Sequence, residues 1–205
     1  MKVFDYDGAF MRFALLLSRL TIINILWLVC CIPIITIGAA TAGQYYAISL
    51  LMNGNTSVFK NFKAGIKLHW KRASIIWIVL AVLSAAFLME YYILMTALIP
   101  GKQVLVSISV LAFLTLLMVM LWIYPVMINF TGNLSEIIFN SFVFTFMYAP
   151  ITIIAGAIYG AMGFLLIRFI LTRGLCILFG QSLVVYLILT LFSKVFNKYK
   201  KTDKG

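Results

Sequence analysis

The sequence predicts an all-α protein, a polytopic bundle of six membrane-embedded helices that forms a single domain over residues 1–205. Of the 205 residues, 64% are hydrophobic and 10% are charged, and the mean hydropathy is +1.12. Soluble domains have about a quarter of their residues charged, so this chain lacks the polar surface to stay in water. A spanning helix needs roughly 20 apolar residues, and several runs of that length are present. The alternating pattern of a membrane β-barrel is absent from the sequence.

The apolar runs and the segments between them define the predicted elements. These are a helical hairpin over 13–52, a cytoplasmic amphipathic helix over 57–72, spans over 75–97, 104–124, 150–167 and 175–192, and a basic cytoplasmic tail over 193–205.

The first apolar block is too long for one untilted crossing and contains Pro33. Proline lacks an amide proton and clashes with the preceding turn, which predicts a helix that ends near Cys31 and a second one that starts near Thr36. Threonine is also a favourable N-cap. The alternative is one kinked helix from about Ile22 to Tyr46, five crossings in all and an N-terminus outside.

Lysine and arginine fall in two clusters that predict the orientation, because cationic loops tend to stay in the cytoplasm. Four crossings separate the clusters, so both are expected on the cytoplasmic side. The N-terminus is placed there too, since Lys2, Arg12 and Arg19 are basic and Asp5 and Asp7 count little in this rule. The members are Lys60, Lys63, Lys67, Lys71 and Arg72 in the first cluster, and Lys194, Lys198, Lys200, Lys201 and Lys204 in the second.

The first basic cluster has the pattern of an amphipathic helix. Phe59, Phe62, Ile66 and Trp70 recur at spacings of three to four, with the lysines between them. Such a helix lies on an anionic leaflet, so Lys60, Lys63, Lys67, Lys71 and Arg72 are predicted to contact lipid headgroups. The aromatic segment 134–148 either lies at the interface or extends the next helix.

The run from Asn24 to Leu28, followed by Ile32-Pro33-Ile34-Ile35-Thr36-Ile37-Gly38-Ala39-Ala40, resembles the YesL-like family of bacterial integral membrane proteins. Pro33, Thr36 and Gly38 are the motif residues on which this resemblance depends. The resemblance implies a multi-pass protein of the bacterial cytoplasmic membrane, with the C-terminus cytoplasmic by the lysine distribution. It also implies a role linked to carbohydrate import, but no catalytic residue can be carried over.

Polar groups inside the predicted spans are candidates for a functional site. A Glu90–Arg168 pair, or a protonated Glu90 in a polar cavity, would suit a proton-coupled carrier; the alternative is that Glu90 is a structural carboxylate hydrogen-bonded to neighbouring helices. Asn24 and Gln44 either hydrogen-bond between helices or line a polar pocket with Thr36, Thr41, Tyr45 and Tyr46. Small residues predict close helix approach within the chain or in a homodimer: Gly38, Ala39, Ala42, Gly43, Gly156 and Gly160.

Several kinds of chemistry are not expected. The single histidine, His69, and the three cysteines have no spacing typical of a metal or redox site, and no GxxxxGK[ST] loop is present. We therefore predict no enzymatic activity, no cofactor, no metal and no nucleic-acid partner. Three functions stay open: an accessory component of a sugar-uptake complex, a small transporter or channel, and a membrane sensor or scaffold.

Overall fold

The computed structural model describes residues 8–96 and 101–202, without the side chains of Ala9 and of residues 197–202. Lys2, Asp5, Asp7 and Lys204 therefore lie outside the described residues, as do the side chains of Lys198, Lys200 and Lys201. The helices are α1 (Ala9–Cys30), α2 (Ile37–Met52), α3 (Val58–Thr96), α4 (Lys102–Asn129), α5 (Leu134–Met147), α6 (Ala149–Arg168), α7 (Ile170–Leu175) and α8 (Gln181–Thr202). A 3-10 turn covers Ile34–Thr36 and a π-helical segment covers Cys176–Gly180.

The predicted all-α bundle is confirmed. Over the described ranges the structure contains no strand, and six helical segments are long and apolar enough to cross a membrane by length and composition. These are Phe10–Cys30, Ile34–Met52, Val58–Thr96, Lys102–Asn129, Ala149–Arg168 and Ile170–Phe196.

The first apolar block forms a helical hairpin and not one kinked helix. The indole Nε1 of Trp27 on α1 donates to Thr41 Oγ1 on α2 at 3.1 Å, so the two helices run side by side. Pro33 is extended, with φ −77° and ψ 119°, between the end of α1 and the 3-10 turn. The break therefore falls where the proline predicts it.

Thr36 occupies the N-cap position of α2, but its side chain does not cap that helix. The Oγ1 hydroxyl donates to the carbonyl oxygens of Cys30 at 2.5 Å and Pro33 at 2.7 Å. Thr36 does not cap α2 because its backbone has helical angles (φ −87°, ψ −4°), whereas a capping residue has an extended backbone. The hydroxyl thus satisfies a carbonyl at the end of α1.

The prediction that 57–72 forms a helix separate from the following span is wrong, because the two segments form one 39-residue helix, α3. No proline interrupts the chain between Val58 and Thr96. The buried face of the first half packs on α2: a Cβ added at Gly65 would meet Tyr46 Cβ at 2.7 Å. The basic side chains Lys60, Lys63, Lys67, Lys71 and Arg72 are exposed.

Two further boundaries differ from the prediction. Helix α4 does not end before Pro125 but continues to Asn129. Residues 134–147 do not extend α6 but form a helix of their own, α5; a position at the membrane interface stays a prediction. It starts at Asn133, whose backbone N–H donates to Glu136 Oε2 at 3.1 Å, an arrangement typical of a capping box.

Close contact between α2 and α3 depends on glycine. A Cβ at Gly38 would meet the carbonyl oxygen of Ala73 and lie 2.6 Å from Trp77 Cβ, and one at Gly43 would lie 2.7 Å from Ile66 Cγ1. Gly160 is different, because nothing lies within 4 Å of its added Cβ. Gly38 and Gly43 therefore pack within the chain, and a dimer through other small residues stays a prediction.

The aromatic core lies where α4, α5 and α8 meet. The Trp122 ring stacks on Phe192 with ring centroids 3.8 Å apart, and its Nε1 donates to Thr152 Oγ1 on α6 at 2.9 Å. Phe144 and Phe196 pack around the same indole. This cluster joins α4, α5, α6 and α8.

Candidate functional site: an aromatic cavity

A cavity of about 690 Å³ lies between the α1–α2 hairpin and helices α3, α4, α6 and α8. We call it the aromatic cavity. Its aromatic and polar lining residues are Trp27, Thr41, Tyr45, Trp77, Tyr124, Tyr159 and Gln181; the others are apolar or glycine. None of the described residues that line it carries a charge. Ligand sites in proteins commonly have about this volume and this mixture of rings and a few polar groups.

Tyr45 on α2 links three elements at the cavity. Its ring stacks on Tyr124 of α4, with centroids 5.5 Å apart and planes at 20°. Its hydroxyl lies 3.4 Å from the hydroxyl of Tyr159 on α6, which also accepts a hydrogen bond from Gln181 Nε2 at 3.4 Å. Ring faces and hydrogen-bonding groups therefore occur side by side in the wall.

A buried polar network borders the cavity. Asn24 on α1 donates from Nδ2 to the carbonyl oxygens of Ile177 at 2.8 Å and Cys176 at 3.3 Å, and its Oδ1 accepts from the Ser182 backbone N–H at 3.0 Å. Gln44 Nε2 on α2 donates to Ser182 Oγ at 2.9 Å. Asn24, Gln44 and Ser182 are fully buried, so the three helices share one network.

The network is built where α7 passes into α8 through the π-helical segment. A π-helical turn alters the regular backbone ladder and is frequent at functional sites. Here it presents two carbonyl oxygens to the amide of Asn24. Gln44 Oε1 is buried and has no hydrogen-bond partner, although buried polar atoms are usually satisfied.

The structure brings together only part of the predicted polar site. Asn24 and Gln44 lie in the network, and Tyr45 lies in the cavity wall. Thr36 does not line the cavity, because its hydroxyl closes the hairpin turn. Tyr46 packs against His69 instead, with ring centroids 5.9 Å apart.

The possible pair of Glu90 and Arg168 is not formed. Glu90 lies on α3 and accepts a hydrogen bond at Oε1 from Ser109 Oγ on α4, 2.6 Å away. Arg168 is an exposed residue at the end of α6, and the structure shows no ion pair between the two side chains. Neither residue lines the aromatic cavity.

Sequence reasoning missed Ser182, Gln181 and Tyr159. A signal was present, because Gln181-Ser182 follows Gly180 inside an otherwise apolar run, and polar pairs within a span mark interhelical contacts or sites. Among residues 8–96 and 101–202, no group of three His, Cys, Asp or Glu side chains could hold a metal ion.

Comparisons with known proteins give two similarities. The model of a family described as "Protein of unknown function, DUF624" matches residues 20–91. The chain is also similar to "Uncharacterized protein YesL" of Bacillus subtilis (strain 168), with 27% identity over 198 residues that cover 94% of this chain and 90% of that protein. These matches support a YesL-like family. The resemblance drawn from the Pro33 motif is thereby confirmed, and the matched residues 20–91 include that motif, the later part of α1, all of α2 and most of α3. No solved structure matches significantly.

Proposed function

We propose that this YesL-like membrane protein is an accessory component of oligosaccharide uptake, and that its aromatic cavity binds a sugar unit. The cavity is the observation that carries the proposal. The link to carbohydrate comes from the resemblance, which implies a role beside carbohydrate import.

The chemistry of the wall suits a neutral sugar. A pyranose ring has apolar C–H faces that pack on aromatic rings and an equatorial rim of hydroxyls that needs hydrogen-bond partners. Aromatic rings of Trp27 and Trp77 line the cavity beside the Tyr45–Tyr124 stack, while Tyr159 and Gln181 supply hydroxyl and amide groups. No described lining residue is charged. When an uncharged ligand enters, no charged group has to give up its hydration, which would cost free energy.

An accessory role fits this wall better than catalysis or ion-coupled transport. The cavity contains no described carboxylate, histidine or cysteine that could transfer a proton or attack a substrate. Such groups are the usual acids, bases and nucleophiles of enzymes. Binding with no chemistry is therefore proposed, with an uptake complex as the partner.

The proposed location is the bacterial cytoplasmic membrane, with both termini in the cytoplasm. Exposed Lys60, Lys63 and Lys67 on α3 and Lys194 on α8 support it, since cationic segments tend to remain inside. Fusing the C-terminus to alkaline phosphatase or to green fluorescent protein tests this. Fluorescence without phosphatase activity is expected, and the reverse pattern contradicts the orientation.

Growth of a bacterial deletion strain tests the function. We expect slow growth on plant oligosaccharides as the sole carbon source, normal growth on glucose, and rescue by the unaltered protein. Gly160→Leu should fail to rescue, because it adds a side chain to a residue that lines the cavity and has no atom within 4 Å of its added Cβ. Gly163→Leu, on the same helix and equally unobstructed, is the control. Normal growth of the deletion strain on every oligosaccharide would contradict the proposal.

A proton-coupled carrier is the second candidate, favoured by one observation. Glu90 is a carboxylate in the apolar part of α3, and its 2.6 Å hydrogen bond to Ser109 joins α3 to α4. Ionisable groups at such positions often serve proton transfer. Substrate flux into liposomes that contain only this protein, lost in Glu90→Gln, would favour the carrier over the accessory role.

A further inference from the structure

A second cavity, of about 510 Å³, lies between the first half of α3 and the end of α4. We call it the basic cavity. On the α3 side it is lined by residues 67–72. On the α4 side it is lined by residues 127–129 at the end of the helix and by Phe130 and Thr131 just after it. It shares no lining residue with the aromatic cavity.

Three cationic side chains, Lys67, Lys71 and Arg72, line the basic cavity. All three are exposed, and no described acidic residue lines the same space. The nearest acidic residue along the chain, Glu136, is already engaged by the Asn133 backbone N–H at 3.1 Å. The basic cavity therefore carries an excess of positive charge.

His69 provides an independent observation. It lines the same cavity, is only 7% exposed, and neither ring nitrogen has a hydrogen-bond partner. Buried polar groups are nearly always paired, and an unpaired imidazole costs free energy. An anion bound in the cavity would accept a hydrogen bond from this ring.

Asn129 and Thr131 place an amide and a hydroxyl on the opposite wall. Lysine, arginine and imidazole N–H groups combined with a hydroxyl are the donors that bind phosphate oxygens. We propose that the basic cavity is a binding site for a phosphate-class anion, either the headgroup phosphate of an anionic phospholipid or free phosphate. This site is more specific than the headgroup contacts that the sequence predicts for all the lysines of the segment. Of those lysines it includes only Lys67 and Lys71, and it adds His69 and Thr131.

Native mass spectrometry of the full-length protein in neutral detergent tests the site. Phosphatidylglycerol is added in one arm, phosphatidylcholine in a second, and inorganic phosphate is added as a competitor in a third. We expect one phosphatidylglycerol to bind more tightly than phosphatidylcholine. If inorganic phosphate displaces it or binds alone, the site accepts the free anion as well; if not, the headgroup is the source.

Two double variants with equal charge change separate a site from surface charge. Lys67→Gln with Lys71→Gln should weaken phosphatidylglycerol binding at least about tenfold, because two charge-assisted hydrogen bonds are lost. Lys60→Gln with Lys63→Gln lies on the same helix but outside the cavity, and should leave the affinity within about twofold, as surface substitutions usually do. Thr131→Val, which leaves every charge in place, should also weaken binding. Two results would overturn the proposal. One is an equal loss of affinity in both double variants. The other is that the unaltered protein binds neither phosphatidylglycerol nor inorganic phosphate more tightly than phosphatidylcholine.

Discussion

Asn24 on α1 accepts a hydrogen bond at 3.0 Å from the backbone N–H of Ser182 on α8, across 158 positions of the sequence. The same side chain donates to two carbonyl oxygens of the π-helical segment. One buried amide thus holds the irregular start of α8 against the first helix. Because buried backbone groups need hydrogen-bond partners, Asn24 is a determinant of the fold beside the aromatic cavity.

Replacing Asn24 by Ala should destabilise the protein. The buried Ser182 N–H would lose its Asn24 partner and Ile177 O would lose a donor, and an unpaired buried group costs about 1–3 kcal/mol of unfolding free energy. Unfolding in mixed detergent micelles measures this loss. Asn53→Ala is the matched control, since Asn53 is exposed and bonds only within its own turn. Equal stability of the two variants would contradict the role given to Asn24.

Gly38→Ala should separate α2 from α3. The new Cβ would overlap the Ala73 carbonyl oxygen and Trp77 Cβ, and overpacking of this kind costs about 1–3 kcal/mol. The midpoint of thermal unfolding in detergent should fall. Gly163→Ala should change it little, because an added Cβ there meets nothing within 4 Å. A Gly38→Ala protein as stable as the unaltered one would show that the contact is not tight.

Helix existence was predictable from the sequence because the apolar runs are long and Pro33 interrupts only one of them. Helix ends were less predictable. Pro125 lies inside α4 without ending it. The change from basic to apolar sequence after Arg72 does not end α3 either, since lysine and arginine are favourable helix residues. The sequence indicated Asn24, Gln44 and Tyr45 as polar candidates, but it carried no information that α6 and α8 bring Tyr159 and Ser182 to them. Whether Glu90 and Arg168 form a pair was not predictable for the same reason, since charge alone does not reveal which helices are neighbours.

Thr36→Val should weaken the hairpin turn. Valine has the shape of threonine but cannot donate to the Cys30 and Pro33 carbonyl oxygens, so the loss should be about 1 kcal/mol. Protease sensitivity of the 31–36 turn and the unfolding free energy both measure it. Thr190→Val removes an exposed hydroxyl that bonds only to Tyr186 O within α8, and should be nearly neutral. A neutral Thr36→Val would contradict a structural role for this hydroxyl.

Glu90→Gln should change little if the protein is an accessory component. The amide can still accept the hydrogen bond from Ser109 Oγ, so we expect stability within about 0.5 kcal/mol of the unaltered protein. Growth on oligosaccharides should remain normal in the complemented deletion strain. Loss of growth with unchanged protein level would instead support the proton-coupled carrier.

Fluorescence titration of the purified full-length protein tests the aromatic cavity as an oligosaccharide site most directly. Trp27 and Trp77 both line it, so a bound sugar should change the tryptophan emission in a saturable way. We expect this change for the unaltered protein and for Gly163→Leu, and its loss in Gly160→Leu with the thermal midpoint retained. Emission that no plant oligosaccharide alters, or an equal response from Gly160→Leu, would contradict the assignment of the cavity as a sugar site.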